Sequence, residues 1–234
     1  MTIIKDKNSY TRNQWLKKTL AKIPKNHKIL DAGAGQLQFK KYCKHLKYTS
    51  QDFGEYDGKG DNKGLQTKTW DNSKIDIKSD IIKIPVQDKS FDVIMCTEVL
   101  EHLPEPIKAI KEFSRILKSN GKLIITAPFC SLTHFTPYYF YNGFSKYWYE
   151  KILPQNGFII EEVSFNGNFF DYLSQEICRI PYMASKYSKI NIIQNIFYRL
   201  VNFILLKILN NLSKNSKNSE EMLCFGLHIL ATKK

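Results

Sequence analysis

One strand–helix–strand unit in the middle of the chain constrains the fold most. Residues Phe91–Cys96 form a nearly continuous apolar run, as a strand covered on both faces should. A helix follows, with Pro106 near its start and Asn120-Gly121 predicted to end it. Lys122–Ala127 is a second apolar strand. Two strands joined by a crossover helix predict a parallel sheet, which places the chain in the α/β class.

The same alternation extends in both directions along the chain. Residues 10–22 and 36–46 are predicted to be helices, and the glycine- and aspartate-rich residues 53–74 an irregular loop. Further strands are predicted at Lys28–Ala32, Tyr48–Asp52, Ile75–Ile77, Phe158–Phe165 and Leu223–Ala231. We therefore expect a mostly parallel seven-stranded sheet with helices on both faces.

No linker or composition break divides these elements, so one domain over residues 1–234 is expected. Its core would comprise residues 26–165 and the final strand at 222–232, with a helical insertion at about 169–214. A chain of 234 residues suits a single α/β domain of generous size.

The net charge of +13 invites a nucleic-acid or membrane interpretation, but its distribution weakens that idea. Residues 1–50 carry +10, residues 51–165 carry −2, and residues 166–234 carry +5. The 35 basic residues include only four arginines, whereas specific phosphate and base recognition favours arginine. Nucleic acid is therefore not the expected partner.

The five cysteines are scattered and lack CxxC spacing, so neither a zinc site nor a disulfide framework is expected. The glycine- and aspartate-containing stretch at 57–64 lacks the closing glutamate of a calcium loop, and no metal is predicted. Because no signal-peptide pattern is visible, the expected location is the cytoplasm.

A glycine turn after the first strand carries the chemistry. The strand ends at Asp31 and Ala32, and Gly33 and Gly35 follow. A glycine turn here lets backbone N–H groups approach a polar ligand, although a simple tight turn is the alternative. Asp52 ends the next strand, where a carboxylate can accept hydrogen bonds from both ribose hydroxyls.

Two cofactor classes use this arrangement. A dinucleotide enzyme has GxGxxG, but Gln38 stands at the third glycine. A sulfonium cofactor carries an ammonium group, so an acid two residues before the first glycine makes chemical sense. Asp31 occupies that position, which favours S-adenosylmethionine over nicotinamide.

Several motifs together resemble class I S-adenosylmethionine-dependent methyltransferases of the type 11 group. They are ILDAGAG at 29–35, Asp52, Ser79-Asp80-Ile81, IPVQDKSFDVIMCTEVLEHL at 84–103 and FSRILKSNGKLIITAP at 113–128. The resemblance covers about residues 26–130. It implies a Rossmann-like fold with an antiparallel last strand, here preceded by the helical insertion. Leu37 departs from the family's third glycine.

The resemblance also implies roles for individual residues. Asp31 would orient the methionine ammonium, and Gly33 and Gly35 would let the backbone approach the methionine part. Asp52 would bind the ribose hydroxyls. The remaining implied contacts are Asp80 and the Ile81 amide with the adenine edge, and Thr97 with the methionine moiety.

The substrate side is predicted from an aromatic segment. Residues 134–149 hold nine aromatic side chains just past the strand that ends at Ala127. Tyr138, Tyr139 and Tyr141 are the expected substrate-pocket residues. The alternative is that some of these rings anchor the next helix in the core. His134 is the candidate general base, with a backbone-bonded loop histidine as its alternative.

Residues 190–212 form an apolar segment with a polar stripe of Asn191, Asn195, Tyr198 and Asn202. This pattern predicts an amphipathic helix. It would either pack on the domain or at a homodimer interface, or make peripheral contact with a membrane.

The sequence thus predicts an S-adenosylmethionine-dependent methyltransferase that acts on a small or medium acceptor, with a glycan-related acceptor as the first candidate. RNA methylation is the alternative enzyme interpretation. A non-catalytic cofactor-fold module at a membrane or partner surface is the non-enzymatic one.

Overall fold

The computed structural model describes residues 7–188, 190 and 195–234. Its helices are α1 (Lys7–Ala21), α2 (Pro106–Ile116), α3 (Lys146–Gln155), α4 (Phe169–Met183) and α5 (Ile196–Asn215). Its strands are β1 (Lys28–Ala32), β2 (Lys47–Asp52), β3 (Ile77–Lys78), β4 (Phe91–Thr97), β5 (Leu117–Pro128), β6 (Phe158–Asn166) and β7 (Gly226–Lys233).

The seven strands form one sheet in the order β3-β2-β1-β4-β5-β7-β6. The neighbours from β3 to β5 run parallel, and β7 pairs antiparallel with β5. This confirms the predicted Rossmann-like seven-stranded sheet with an antiparallel last strand. Because β1 and β4 are neighbours while β2 lies on the other side of β1, the strand order reverses between β1 and β4, and the carboxyl ends there form the usual ligand crevice.

The core lies where the apolar strands predicted it. Ile29, Val93 and Met95 are completely buried, and Leu16 and Leu20 of α1 pack on them at helical spacing. The near-continuous burial of β4 and β5 is what a strand covered on both faces requires. The buried centre of the sheet therefore carries the strand ends that build the site.

The chain divides into two compact units, Gln14–Ser164 with Gly226–Lys234, and Met1–Asn13 with Phe165–Phe225. The first contains nearly the whole sheet. The second contains α4 and α5, the predicted helical insertion. The single-domain interpretation stays a prediction.

The predicted helix at 36–46 is wrong. Only a 3-10 turn at Lys40–Tyr42 is helical there. Leu37 has a φ of +59°, which interrupts any α-helix that begins at the glycine turn. Phe39 and Cys43 are buried four residues apart, so the apolar spacing is real although the backbone is not α-helical.

The third strand begins at Ile77, two residues later than the predicted Ile75–Ile77. The reason is Asp76, whose carboxylate accepts hydrogen bonds from both the backbone N–H and the hydroxyl of Ser50. A side chain thus replaces the main-chain ladder at this point. Backbone pairing begins only at Ile77 and Lys78, opposite Gln51 and Asp52.

Two further boundaries were predicted wrongly. The helix α2 ends at Ile116 and not at Asn120-Gly121, because Leu117 is already extended and pairs with Phe91. The last strand begins at Gly226 and not at Leu223. Gly226 lies opposite Pro128, the last residue of β5, so the residues before Gly226 have no β5 residue to pair with.

The insertion has its own hydrogen-bonded support. Asn168 caps α4, accepting hydrogen bonds from the backbone of Phe170 and Asp171. The Ser213 hydroxyl of α5 donates to Asp171, and the Asn168 side chain donates to the Ser213 carbonyl. These contacts tie the two helices to each other.

In α5 the predicted polar stripe lies on the more buried side and large apolar side chains lie on the exposed side, which reverses the usual arrangement. Tyr198 and Asn202 of the predicted polar stripe are half-buried, and they share a side with the buried Leu206 and Leu209. Asn195 caps the helix, and Asn191 lies outside the described residues. Large apolar side chains are exposed instead: Ile196, Phe197, Leu200, Val201, Phe203, Ile204, Leu205, Ile208 and Leu212.

Within the described part of the chain, no helix combines the length and hydropathy needed to cross a bilayer.

Candidate functional site

The glycine turn is built by hydrogen bonds to the end of β2. The N–H groups of Gly33 and Ala34 both donate to the Gln51 carbonyl at 2.8 and 2.9 Å. The Gly35 N–H donates to the Asp52 carboxylate at 2.9 Å, whose other oxygen accepts from Gly54. The carboxyl ends of β1 and β2 are thereby locked together.

Both glycines are required by space and by backbone conformation. Gly33 has a φ of +73°, and a Cβ there would lie 2.4 Å from a methyl carbon of Val99. Gly35 has a φ of +49°, and its Cβ would lie 2.5 Å from the Trp70 indole. Leu37 keeps a left-handed φ, so the turn retains its glycine-type path although the family's third glycine is absent.

Asp31 is buried at the end of β1, and the hydroxyl of Tyr48 donates to it at 2.5 Å. Burial raises the pKa of Asp31 to about 7; the Tyr48 hydrogen bond opposes this rise, and the nearby charge of Asp52 adds to it. An ammonium group placed here would compensate the buried carboxylate. The electrostatics therefore suit the role that the resemblance implies for Asp31.

The residues for which the resemblance implies ribose and adenine contacts lie next to this turn. Asp52 is buried, and its carbonyl accepts from Ser79 N–H. The Gln51 side chain donates to the Ser79 carbonyl at 2.7 Å, which fixes the start of the Asp80–Ile81 segment beside β2. Asp80 is exposed and Ile81 is buried. The structure thus brings Asp52, Asp80 and Ile81 to the same strand end.

Thr97 ends β4 as predicted, opposite Thr126 of β5. Its side chain is buried, and its hydroxyl oxygen has no hydrogen-bond partner in the described part of the chain. Buried hydroxyls are normally paired. A polar ligand at this edge of the sheet would supply the missing partner.

Sequence reasoning missed the residues of the loop at 53–74 that cover the turn. Trp70 lies against Gly35, and the rings of Trp70, Tyr56 and Phe135 pack on one another with centroids 4.7–5.4 Å apart. The loop is also bonded to the aromatic segment. The Leu65 N–H donates to the Thr133 carbonyl, and the Phe135 N–H donates to the Leu65 carbonyl. An irregular loop has no periodicity, so nothing in the sequence indicated this packing.

Of the predicted substrate residues, Tyr138 and Tyr139 lie beside the two histidines. The Tyr138 carbonyl contacts His102 Nδ1 at 2.5 Å, and the Tyr139 ring lies 5.1 Å from that of His134. Burial raises the pKa of Tyr139, whose hydroxyl donates to the Ser131 carbonyl. Tyr141 is more exposed, and its hydroxyl donates to Pro104.

Three other rings of the aromatic segment have a structural role. Phe144 and Tyr149 are buried and pack with Trp148 at the start of α3. These rings anchor the helix, which was the alternative interpretation of the segment. Burial raises the pKa of Tyr149, with the charges of Glu101 and Glu98 adding to it.

His134 and His102 form a cluster with Glu101. Each imidazole points its Nε2 at Glu101 Oε1, at 3.9 Å for His134 and 3.7 Å for His102. Burial lowers the pKa of His102 to about 4, the neighbouring His134 adds to this, and the hydrogen bond to the Tyr138 carbonyl opposes it. His134 also meets the Leu132 carbonyl through its Nδ1, at 2.8 Å.

The chain is similar to known methyltransferases in sequence and in fold. Residues 30–125 match the family model described as "Methyltransferase domain". An uncharacterised protein of Methanocaldococcus jannaschii is 45% identical over 49 residues, which is 21% of either chain. A ubiquinone biosynthesis O-methyltransferase of Xanthomonas oryzae is 45% identical over 40 residues, or 17% of either chain. The matches span only about a fifth of these relatives.

The fold extends much further than the sequence identity. A S-adenosylmethionine-dependent methyltransferase from Archaeoglobus fulgidus superimposes with a TM-score of 0.57 at 18% identity, covering 96% of this chain and 94% of that one. The matched methyltransferase family indicates S-adenosylmethionine as the cofactor. Residues 30–125 of this chain thus match a methyltransferase domain, and the fold is the one seen in solved methyltransferases.

Proposed function

We propose that the chain transfers a methyl group from S-adenosylmethionine to a small-molecule acceptor. The observation that carries the proposal is the glycine turn, where a buried carboxylate, a close backbone approach and the Asp52 carboxylate meet at the switch between β1 and β4. Within it, Asp31 would hold the methionine ammonium, and Gly33 and Gly35 would leave room for the methionine part.

The other cofactor contacts follow from the same edge of the sheet. Asp52 retains free lone pairs beyond its bonds to Gly35 and Gly54, and these would accept from the ribose hydroxyls. Asp80 and the Ile81 amide would contact adenine, and the buried Thr97 hydroxyl would contact the methionine moiety.

The acceptor site is proposed beside Tyr138, Tyr139 and His134, where aromatic faces surround the two histidines. Aromatic faces in this arrangement suit a ring-shaped acceptor, with a glycan-related molecule as the first candidate. His134 is proposed as the general base for an oxygen or nitrogen acceptor.

A label-transfer screen tests the proposal. The full chain would be incubated with methyl-labelled S-adenosylmethionine and sugar nucleotides, quinol precursors or RNA in parallel. Label should move to a small-molecule acceptor, and Gly33→Ala should abolish the transfer. Transfer to RNA alone would contradict the proposed acceptor class. Cofactor binding with no label transfer to any acceptor would favour the non-catalytic module.

The exposed face of α5 is proposed to contact an anionic membrane. Apolar side chains at Phe197, Val201, Ile204 and Ile208 recur every three or four residues on the exposed side, which exceeds the scattered exposure usual in a water-facing helix. Basic residues on the same helix include Arg199, Lys207 and Lys214.

Lipid flotation tests this contact. The wild-type chain should float with vesicles that contain phosphatidylserine, and the pair Phe197→Ser with Ile204→Ser should not. Asn210→Ser, on an exposed polar position of the same helix, is the control and should float normally. A concentration-dependent dimer that does not float would instead assign the face to a second copy of the chain.

A further inference from the structure

Three side chains converge where the chain leaves β4 and where the aromatic segment begins. Glu101, His102 and His134 each offer one ligand atom, and these three atoms lie within 4.8 Å of one another. The cluster was not recognised in the sequence because His134 is 32 positions beyond His102, on a separate loop.

The hydrogen bonds of the two imidazoles fix which nitrogen faces the cluster. His102 Nδ1 lies 2.5 Å from the Tyr138 carbonyl, and His134 Nδ1 lies 2.8 Å from the Leu132 carbonyl. A carbonyl oxygen only accepts, so each Nδ1 must carry the hydrogen. Each Nε2 then presents a lone pair toward Glu101. Backbone carbonyls orient metal-binding histidines in this same way.

The cluster is held in place by its surroundings. Glu101 is 1% exposed, and its carbonyl accepts from the N–H groups of Phe140 and Tyr141. His134 is fixed by the backbone bridge to Leu65. The Nε2 of His102 is buried and has no hydrogen-bond partner in the described part of the chain. A lone pair held in this way lacks the partner that buried polar atoms normally have.

The spacing of the ligand atoms suits an ion. Atoms about 2.0–2.2 Å from a tetrahedral zinc ion stand roughly 3.3–3.6 Å apart. The distances of 3.7 and 3.9 Å to Glu101 Oε1 are close to that value. Since all three atoms lie within 4.8 Å of one another, no pair would need to close by more than about 1.5 Å. Two imidazoles and one carboxylate are a donor set for divalent transition metals, and they leave a coordination position open.

We propose that Glu101, His102 and His134 bind one divalent transition-metal ion, with Zn²⁺ as the reference, and that its open position binds an oxygen of the acceptor. This deepens the proposed function and rests on it. The ion would lower the pKa of the acceptor hydroxyl, whose proton passes to water. The oxygen then bonds to the methyl carbon as the carbon–sulfur bond breaks, which leaves S-adenosylhomocysteine. His134 is then a metal ligand in place of the general base.

The test separates metal binding from cofactor binding. The full-length chain, stripped with a chelator, would be titrated with Zn²⁺ by calorimetry and with Co²⁺ by visible absorption, and separately with S-adenosylhomocysteine. The variants are Glu101→Gln, which keeps the buried shape, and His134→Gln, on a partly exposed loop. His27→Gln is the matched control, since His27 directly precedes β1 and so lies at the amino end of that strand, away from the cluster.

Wild type and His27→Gln should bind one ion. Glu101→Gln and His134→Gln should bind it at least ~100-fold more weakly, since even outer-shell changes cost 10–100-fold. All four proteins should bind S-adenosylhomocysteine alike and melt cooperatively. Equal metal affinity in wild type and the two ligand variants would overturn the site, as would no binding by wild type. If wild type does not bind S-adenosylhomocysteine, the proposed function is refuted instead.

Discussion

The pKa of Asp31 leads to an unusual prediction about stability. A buried carboxyl with a pKa of about 7, against 3.8 for a free one, binds its proton more tightly in the folded chain than in the unfolded chain. Stability therefore falls as the pH rises from about 4 to 7, and recovers as the pH drops. The difference of about three pKa units corresponds to about 4 kcal/mol at pH 8.

Asp31→Asn removes this penalty. The amide can still accept from Tyr48, but it brings a buried NH₂ group whose missing partner costs about 1–3 kcal/mol. We therefore expect the variant to be more stable than wild type at pH 8 by about 1–3 kcal/mol. That corresponds to about 2–4 °C in Tm for each kcal/mol in a chain of this size.

Urea unfolding of both proteins between pH 4 and 8 measures the effect. The stability gap should be largest at pH 8 and shrink toward pH 5. Asp76→Asn is the control, and its effect on stability should have the opposite sign. Hydrogen bonds from the Ser50 backbone and hydroxyl lower the pKa of Asp76, so removing this carboxylate should destabilise the chain at neutral pH. A pH-independent gap between wild type and Asp31→Asn would refute the reasoning about burial.

Three further predictions follow from the same geometry. The affinity for S-adenosylmethionine should fall about tenfold per pH unit between pH 7 and 5 as Asp31 takes up its proton, and calorimetry should find no such slope in Asp31→Asn. Gly33→Ala should weaken S-adenosylhomocysteine binding at least tenfold, whereas Gly157→Ala, equally left-handed but with no atom nearer than 3.7 Å, should leave it unchanged. Thr97→Val should lower cofactor affinity without lowering Tm, because the hydroxyl has no hydrogen-bond partner among the described residues to lose.

Much of the fold could be predicted from the sequence because apolar periodicity fixes buried strands. The run at 91–96 and the strand at 28–32 are confirmed, as is the sheet built around them. The helix at 36–46 could not be judged correctly, since the left-handed Leu37 depends on how the turn is held by β2. Asp76 shortened β3 through a side-chain contact that no local pattern signals.

The candidate site likewise has a part that could be predicted from the sequence and a part that could not. Asp31, Gly33, Gly35 and Asp52 follow strands directly, so their meeting at one sheet edge could be predicted from parallel topology alone. The contact of His134 with Glu101 depends on the path of the aromatic segment, which doubles back and bonds to the Glu101 carbonyl. The exposed apolar face of α5 likewise could not be assigned, because periodicity gives two faces but not which one is covered.

Calorimetric titration of the full chain with S-adenosylmethionine at pH 8 tests the central claim most directly. One binding site is expected, with the affinity strongly reduced in Gly33→Ala and in Asp31→Asn although the latter is the more stable protein. Equal binding by wild type and both variants, or no binding by a cooperatively folded wild type, would contradict the assignment of the glycine turn as the cofactor site.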